Sequence, residues 1–452
     1  MMRRSKDLDE TIEKSRAKTM IRLIRCEIKN LGNVKKRRDE WRDLEWSSIN
    51  VTMLQGVIRT TFERDISIDS LWSSRDSLKT IAGLVSDSEK KQSHESKQDT
   101  EKWIREVEFE PSHLESIRKI MSEYSLSEDA SSRSSVFVTG ATGFLGSEVL
   151  SQLISRTSTS SRKIYCLVRT KSSSHDPKTR LCDVLRSRKC FTKDTEKALR
   201  SGRLVVVRGD LTLPRFGLEN FKSIARDVSL VIHCGSFVNH IFNYSNLKAA
   251  NVGGTMTAIE LATYVVSSEY FPSDVFQHNK PTNKHRYNRA SIVYVSTISV
   301  LPNELSLARD SESEIAGDMS FLSSAGGYVQ SKWVAEVRLR CAVQMGAIRD
   351  VKILRPGLIS PNTKTGSSNM SDWFVRFIHG AILLNGDRVS NELDDVLCFT
   401  SVDDVACVVN TFALSNGKDK AAVTYHVPIT IKMKTVKFFN LVVACKSMSE
   451  RT

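Results

Sequence analysis

The stretch Val136–Gly146, VFVTGATGFLG, constrains this chain more than any other. A β-branched and aromatic run ends in Thr139, and Gly140, Gly143 and Gly146 then follow at three-residue spacing into an amphipathic segment, Ser147 to Ile154. The pattern reads as strand, glycine turn, helix. In such a unit the first glycine permits a tight turn, the second lets the backbone approach a pyrophosphate, and the third lets helix and strand pack closely. The phosphates then sit on the helix N-terminus. The spacing is GxxGxxG rather than GxGxxG, so taken alone it also describes an ordinary glycine-rich turn. The remaining parts of a dinucleotide site must come from elsewhere in the chain.

They follow in order. A second strand is expected over Lys163 to Arg169, a third in RLVVVRGD, a fourth in SLVIHCGS and a fifth in SIVYVSTISV, each separated by helical stretches. Strands alternating with helices at these intervals predict an α/β fold, a doubly wound parallel Rossmann sheet. An acidic residue after strand two would accept from a ribose 2′-hydroxyl, whereas an arginine suits the extra phosphate of NADP. Arg169 stands there, with Arg180 able to clamp the same group, so NADPH is the expected cofactor. Asp210 and Leu211 fall where an adenine-contacting pair would lie. Strand four ends in small residues, including Ser236, that let backbone approach the cofactor, and Asn251 opens a helix in NVGGT.

The candidate chemistry lies further on. Tyr328 and Lys332 are four apart on an expected helix and share one face. A nearby cation stabilises a phenolate, which would let Tyr328 deliver a proton to a carbonyl oxygen, while Lys332 can also hold a nicotinamide ribose. Thr297, after strand five, can donate a second hydrogen bond to the developing oxyanion.

A net charge of +14 and the cluster KKRR at 35–38 raise the possibility of nucleic-acid binding. The basic residues are mostly interleaved with acids, so a solvated helical face is the expectation and no nucleic-acid partner is predicted. No stretch approaches the roughly eighteen apolar residues of a membrane helix, and the N-terminus lacks a signal-peptide core, so the protein is expected to be cytoplasmic, with no membrane partner. Nine scattered cysteines without a CxxC pair suggest reduced thiols. No metal is expected, and His233 and His240 read as structural.

Three segments are expected: a small all-α bundle at 19–86, a charged and serine-rich linker at 87–130 leading through a helix at His113 to Tyr124, and a catalytic domain at 131–452. The bundle resembles an acyl or peptidyl carrier domain. Asp43-Leu44-Glu45-Trp46-Ser47-Ser48-Ile49 stands where that family has its modification signature, and Ser48 falls on the serine that carries phosphopantetheine. Glu45 and Trp46 replace the signature's two glycines, and Ser48 as a plain helix N-cap is the alternative.

The catalytic domain resembles an extended short-chain dehydrogenase/reductase. Within that group it is similar to the thioester-reductase domains of carboxylic acid reductases, alpha-aminoadipate reductases and some nonribosomal peptide synthetases. The resemblance rests on TGATGFLG at 139–146, Arg169, Arg180, GDL at 209–211, NVGGT at 251–255, Thr297, Tyr328, Lys332 and LRPG at 354–357. It implies cofactor contacts from Thr139, Gly140, Thr142, Gly143, Phe144, Leu145, Gly146, Arg169, Arg180, Asp210, Leu211, Ser236, Asn251, Tyr328, Lys332, Pro356 and Gly357. Trp373 to Ile378 and the run at 399–406 would lie on the substrate side. The implied reaction is NADPH-dependent reductive release of an acyl or aminoacyl thioester, held on the chain's own carrier or one in trans, to an aldehyde or alcohol. An adenylation domain is an implied partner, and the chain could be a fragment of a larger synthetase. A fatty acyl-CoA reductase and a catalytically silent NADP-binding scaffold remain as alternatives.

Overall fold

The computed structural model describes residues 66, 70, 102–123, 135–170, 175–264, 289–301, 320–370, 372, 374–376, 378, 396–415, 422–434 and 437–438. The carrier-like bundle, with Ser48, falls outside these residues apart from Ile66 and Ser70.

The described strands are β1 (Ser135–Thr139), β2 (Ile164–Val168), β3 (Leu204–Arg208), β4 (Val228–His233), β5 (Ser291–Val295), β6 (Val351–Arg355), β7 (Leu358–Ser360), β8 (Val396–Ser401), β9 (Ala422–His426) and β10 (Ile431–Lys434). Seven of them form one sheet in the order β3-β2-β1-β4-β5-β6-β9. Every pairing in it is parallel. This is the expected doubly wound Rossmann-like sheet. The strand order reverses between β1 and β4, and ligands of such sheets bind at the carboxyl ends of the strands flanking that reversal.

The described helices are α1 (Pro111–Glu123), α2 (Phe144–Arg156), α3 (Pro177–Ser187), α4 (Lys193–Arg200), α5 (Phe221–Asp227), α6 (Tyr244–Lys248), α7 (Gly254–Thr263), α8 (Ser320–Ser324), α9 (Gly327–Gln344) and α10 (Val402–Leu414). Alternation along β1 sorts its side chains between two cores. Val136 and Val138 pack with Leu150, Leu153 and Ile154 of α2 and with Val405 and Val409 of α10. Phe137 packs on the opposite face with Ile259 and Ala262 of α7, Ile117 and Ile120 of α1, and Leu339 of α9. Each such fully buried aliphatic or aromatic side chain contributes about 1.5–3 kcal/mol relative to exposure.

Contacts divide the chain into two units. One comprises Glu106–Phe237, Leu247–Gly317 and Val329–Thr452, and it holds the large sheet. The other comprises Met1–Arg105, Val238–Asn246 and Asp318–Tyr328. Within that second unit Trp103 is buried and meets the Tyr244 ring edge-on, with centroids 5.2 Å apart.

The helix expected at His113 to Tyr124 is α1, and it buries Ile117, Ile120 and Met121. The segment expected as a linker is also helical at 102–107, where it buries Trp103, an apolar residue that the surrounding charge conceals. The stretch before Gly327 contains α8. A separate three-stranded sheet, β10-β8-β7, has no counterpart in the sequence pattern, and its β10 is antiparallel to β8.

Candidate active site

The glycine turn follows β1 at the reversal point. Gly140 adopts φ +75°, and a Cβ there would lie 2.6 Å from the Gly235 backbone nitrogen after β4, so this position requires glycine twice over. At Gly146 a Cβ would fall 2.0 Å from the Gly140 carbonyl oxygen, which explains the third glycine as a packing contact between helix and turn. Gly143 is exposed and is the N-cap of α2, and no side chain caps that helix. The electropositive end of a thirteen-residue helix therefore opens beside a bare backbone, an arrangement that fits a dinucleotide pyrophosphate. Thr142, Phe144 and Leu145 are part-exposed around it.

Thr139 is fully buried and does not face this opening. Its Oγ1 accepts from the Gly235 N–H at 3.0 Å and lies 2.7 Å from His233 Nδ1. On the other side of the ring, His233 Nε2 lies 3.3 Å from Thr255 Oγ1, which donates to the Asn251 carbonyl at 2.6 Å. Since the Thr255 hydroxyl hydrogen is used on Asn251, one set of directions satisfies the chain: Thr139 donates to Nδ1, and Nε2–H donates to Thr255. His233 is thus a neutral structural link between the two turns. Burial, reinforced by the Lys332 charge, pushes its pKa down to about 3.

Asn251 sits in a π-helical turn, Ala249–Gly253, between α6 and α7. Its Oδ1 accepts from the Phe237 N–H at 2.7 Å and from Ser236 Oγ at 3.1 Å, while its Nδ2 donates to the Phe237 carbonyl at 3.1 Å and to Ser331 Oγ at 2.9 Å. Two acceptor and two donor sites exhaust an amide side chain. Asn251 and Ser236, which the resemblance implies as cofactor contacts, are bonded to each other, and Asn251 ties the loop after β4 to the helix that carries Lys332.

Arg169 follows β2 and is exposed, with Nε 3.8 Å from Asp210 Oδ2. Arg180, in α3, has its pKa lowered, first by burial and then by the charge of Arg169. Two guanidinium groups therefore share one neighbourhood, where a dianion would relieve their repulsion. Asp210 also accepts from the Thr212 N–H at 2.9 Å and its hydroxyl at 2.8 Å. The Leu211 side chain covers Gly235, where a Cβ would come within 2.9 Å of its Cδ1.

At the end of β5, the buried Lys332 Nζ donates to the Val295 carbonyl at 2.6 Å and lies 4.0 Å from the centroid of the Tyr294 ring. Burial lowers its pKa to about 7, against the opposing pull of Glu336 and Cys234. Thr297 comes two residues after Val295 and is part-exposed, its Oγ1 3.3 Å from both the N–H and the hydroxyl of Ser299. The Ile298 N–H donates to the Pro356 carbonyl at 3.0 Å, which ties this loop to the one holding Pro356 and Gly357. Ser296 carries no motif that marks it in the sequence, yet its Oγ is buried here with no hydrogen-bond partner among the described residues. Tyr328 lies in the first turn of α9, four residues before Lys332. Its ring is edge-on to His240, with centroids 5.5 Å apart. Among the described residues no cluster of His, Cys, Asp or Glu could hold a metal, and no helix is long and apolar enough to cross a membrane.

A cavity lined by Ser158, Lys163, Lys197 and Arg203 lies away from this site, since Lys163 and Arg203 immediately precede β2 and β3.

Known proteins share this sequence pattern and fold. The NAD-binding family described as male sterility protein matches residues 138–409. L-2-aminoadipate reductase of Schizosaccharomyces pombe is 30% identical over 397 residues, covering 85% of this chain and 26% of that protein. A linear gramicidin synthase polypeptide of Brevibacillus parabrevis is 31% identical over 280 residues, covering 61% of this chain and 5% of that protein. The crystal structure of the terminal R domain from the myxalamid PKS-NRPS pathway superposes with a TM-score of 0.59 at 28% identity, covering 76% of this chain and 77% of that one. The chain thus spans about a quarter or less of the full length of the aminoadipate reductase and the gramicidin synthase.

Proposed function

The chain belongs to the NAD-binding family described as male sterility protein and is an NAD(P)-binding reductase, and from that premise we propose that it reduces a carrier-bound acyl or aminoacyl thioester, with NADPH, to an aldehyde. The observation that carries the reading is Lys332: a buried amino group held on the Val295 carbonyl, two residues before Thr297 and one helical turn after Tyr328. The names of the relatives support the substrate class, one being a reductase named for an amino acid, L-2-aminoadipate, and the other a peptide synthase.

Bound NADPH supplies a hydride to the thioester carbonyl carbon. This chain's residues handle the oxygen and the proton. Thr297 donates a hydrogen bond to the oxygen as it gains negative charge, and Tyr328 delivers the proton that makes it a hydroxyl. Lys332 favours the phenolate that Tyr328 leaves behind. In the resulting hemithioacetal the hydroxyl gives up its proton and forms the carbonyl as the carbon–sulfur bond breaks, and the departing sulfur takes the bond pair and a proton, so the aldehyde leaves and the carrier thiol is restored. Arg169 and Arg180 hold the 2′-phosphate, and the open N-terminus of α2 holds the pyrophosphate.

The test is Tyr328→Phe, assayed as NADPH oxidation with an acyl thioester. Turnover should fall by about two to four orders of magnitude while NADPH still binds. A variant that works at the wild-type rate would remove Tyr328 from the reaction.

A further inference from the structure

One cation that the glycine pattern does not include lies against the first residue of α2. Arg188 is the C-cap of α3, and its guanidinium lies 5.6 Å from the centroid of the Phe144 ring. Phe144 is the first residue of α2. Side chains on a helix lean toward its N-terminus, so the Phe144 ring lies toward the glycine turn, and a cation resting on that ring is carried to the same end. We propose that Arg188 is a cofactor-binding residue whose guanidinium, stacked on Phe144, completes the pyrophosphate site at the open N-terminus of α2. The proposal rests on dinucleotide binding by this chain and does not depend on which of the two nicotinamide cofactors is preferred.

Three observations support it. First, the segment is fixed in place. Lys189 turns the chain with φ 59°, its Nζ donates to the Thr365 carbonyl at 2.9 Å, and the Cys190 thiol donates to Glu148 of α2 at 3.3 Å. Arg188 is thereby held between two anchors. Second, among the described residues no carboxylate pairs with Arg188, and Glu148, an acid on the same helix as Phe144, is already bonded by Cys190, Gln152 and Asn362. Burial lowers the Arg188 pKa, which marks a guanidinium partly withdrawn from water. Third, a cation beside the positive end of a helix dipole is unfavourable until an anion joins them, and a pyrophosphate satisfies both at once.

Arg188 has a competing structural role, because a cation at the C-terminus of α3 also favours that helix. Arg188→Met separates the two, since it keeps an apolar stem over Phe144 and removes only the charge. The experiment titrates NADPH and NADH, by nicotinamide fluorescence, into the wild-type chain, Arg188→Met and Arg169→Ala, with thermal melting of each without cofactor. Loss of a charge-assisted contact should weaken both cofactors by the same factor, about tenfold or more, in Arg188→Met. Arg169→Ala should weaken NADPH alone. Wild-type affinity in Arg188→Met, or a loss confined to NADPH, would overturn the proposal. So would a drop in melting temperature that fully accounts for the weaker binding. A wild-type chain that binds neither cofactor would instead sink the dinucleotide reading itself.

Discussion

Glu336 and Arg355 form a fully buried, two-pronged ion pair, with Arg355 Nε 3.0 Å from Oε1 and Nη2 2.6 Å from Oε2. Glu336 stands one helical turn beyond Lys332 on α9, and Arg355 ends β6 immediately before Pro356 and Gly357. The pair thus ties the helix bearing Lys332 to the strand leading into the loop of Pro356 and Gly357, which the resemblance implies as cofactor contacts. Removing one member leaves the other charge buried without its partner, which costs far more than the pair itself is worth. Glu336→Ala should lose roughly 3–5 kcal/mol of folding stability, whereas the double change Glu336→Met with Arg355→Met should recover most of that loss. Denaturant unfolding measures both. A single variant that loses under about 1 kcal/mol would mean that water reaches the pair.

Lys332 gives the fold a pH dependence of definite sign. Burial lowers its pKa from 10.5 to about 7 in the folded chain. Between those two values the unfolded chain binds a proton that the folded chain does not, so this group makes stability rise with pH across that window. Below about 7 the lysine is charged in both states and contributes no slope. Lys332→Met should remove the rise while leaving the contribution of other groups in place. The comparison is cofactor-free unfolding at a series of pH values from neutrality upward. Parallel curves for wild type and variant would show that Lys332 titrates normally.

Cofactor choice follows from the proximity of Arg169 and Arg180. Two guanidinium contacts to a dianionic phosphate should favour NADPH over NADH by a few kcal/mol, on the order of a hundredfold. Arg169→Ala should reduce that ratio without abolishing turnover, and Arg180→Ala should act in the same direction. The measurement is kcat/KM for each cofactor. Equal values for NADPH and NADH in the wild-type chain would exclude the assignment.

Local pattern makes much of this site legible. Gly140 and Gly146 declare their geometry because each has a backbone reason that no other residue satisfies, and β1, β2, β4 and β5 are largely apolar runs, as buried parallel strands should be. The partners of Asn251 are not legible, for the opposite reason. Its neighbours in the sequence say nothing of Phe237 and Ser331, which only tertiary folding brings to it. Trp103 is hidden in the same way, since one apolar residue among charges resembles a linker until it meets a core, whereas the apolar spacing of α1 is legible as a helix. Arg188 carries no motif at all, and its proximity to Phe144 follows from the way Lys189 and Cys190 anchor the end of α3.

The last prediction concerns Ser48, which lies outside the described residues, so its support is the sequence. Asp43-Leu44 and Ser48-Ile49 keep the carrier register without a gap, and apolar positions at Phe62, Ile66 and Leu71 follow where that family places its core. A serine at a helix start would welcome an attached phosphate. Glu45 and Trp46 oppose this, because they put side chains where the family offers bare backbone to the modifying transferase. Incubation of the chain with CoA and a phosphopantetheinyl transferase, followed by intact-mass measurement, decides between them. The expected outcome is a gain of one phosphopantetheine that disappears in Ser48→Ala. No gain under conditions that modify a control carrier would assign Ser48 to helix capping, and the reductase would then draw its thioester from another protein or from CoA.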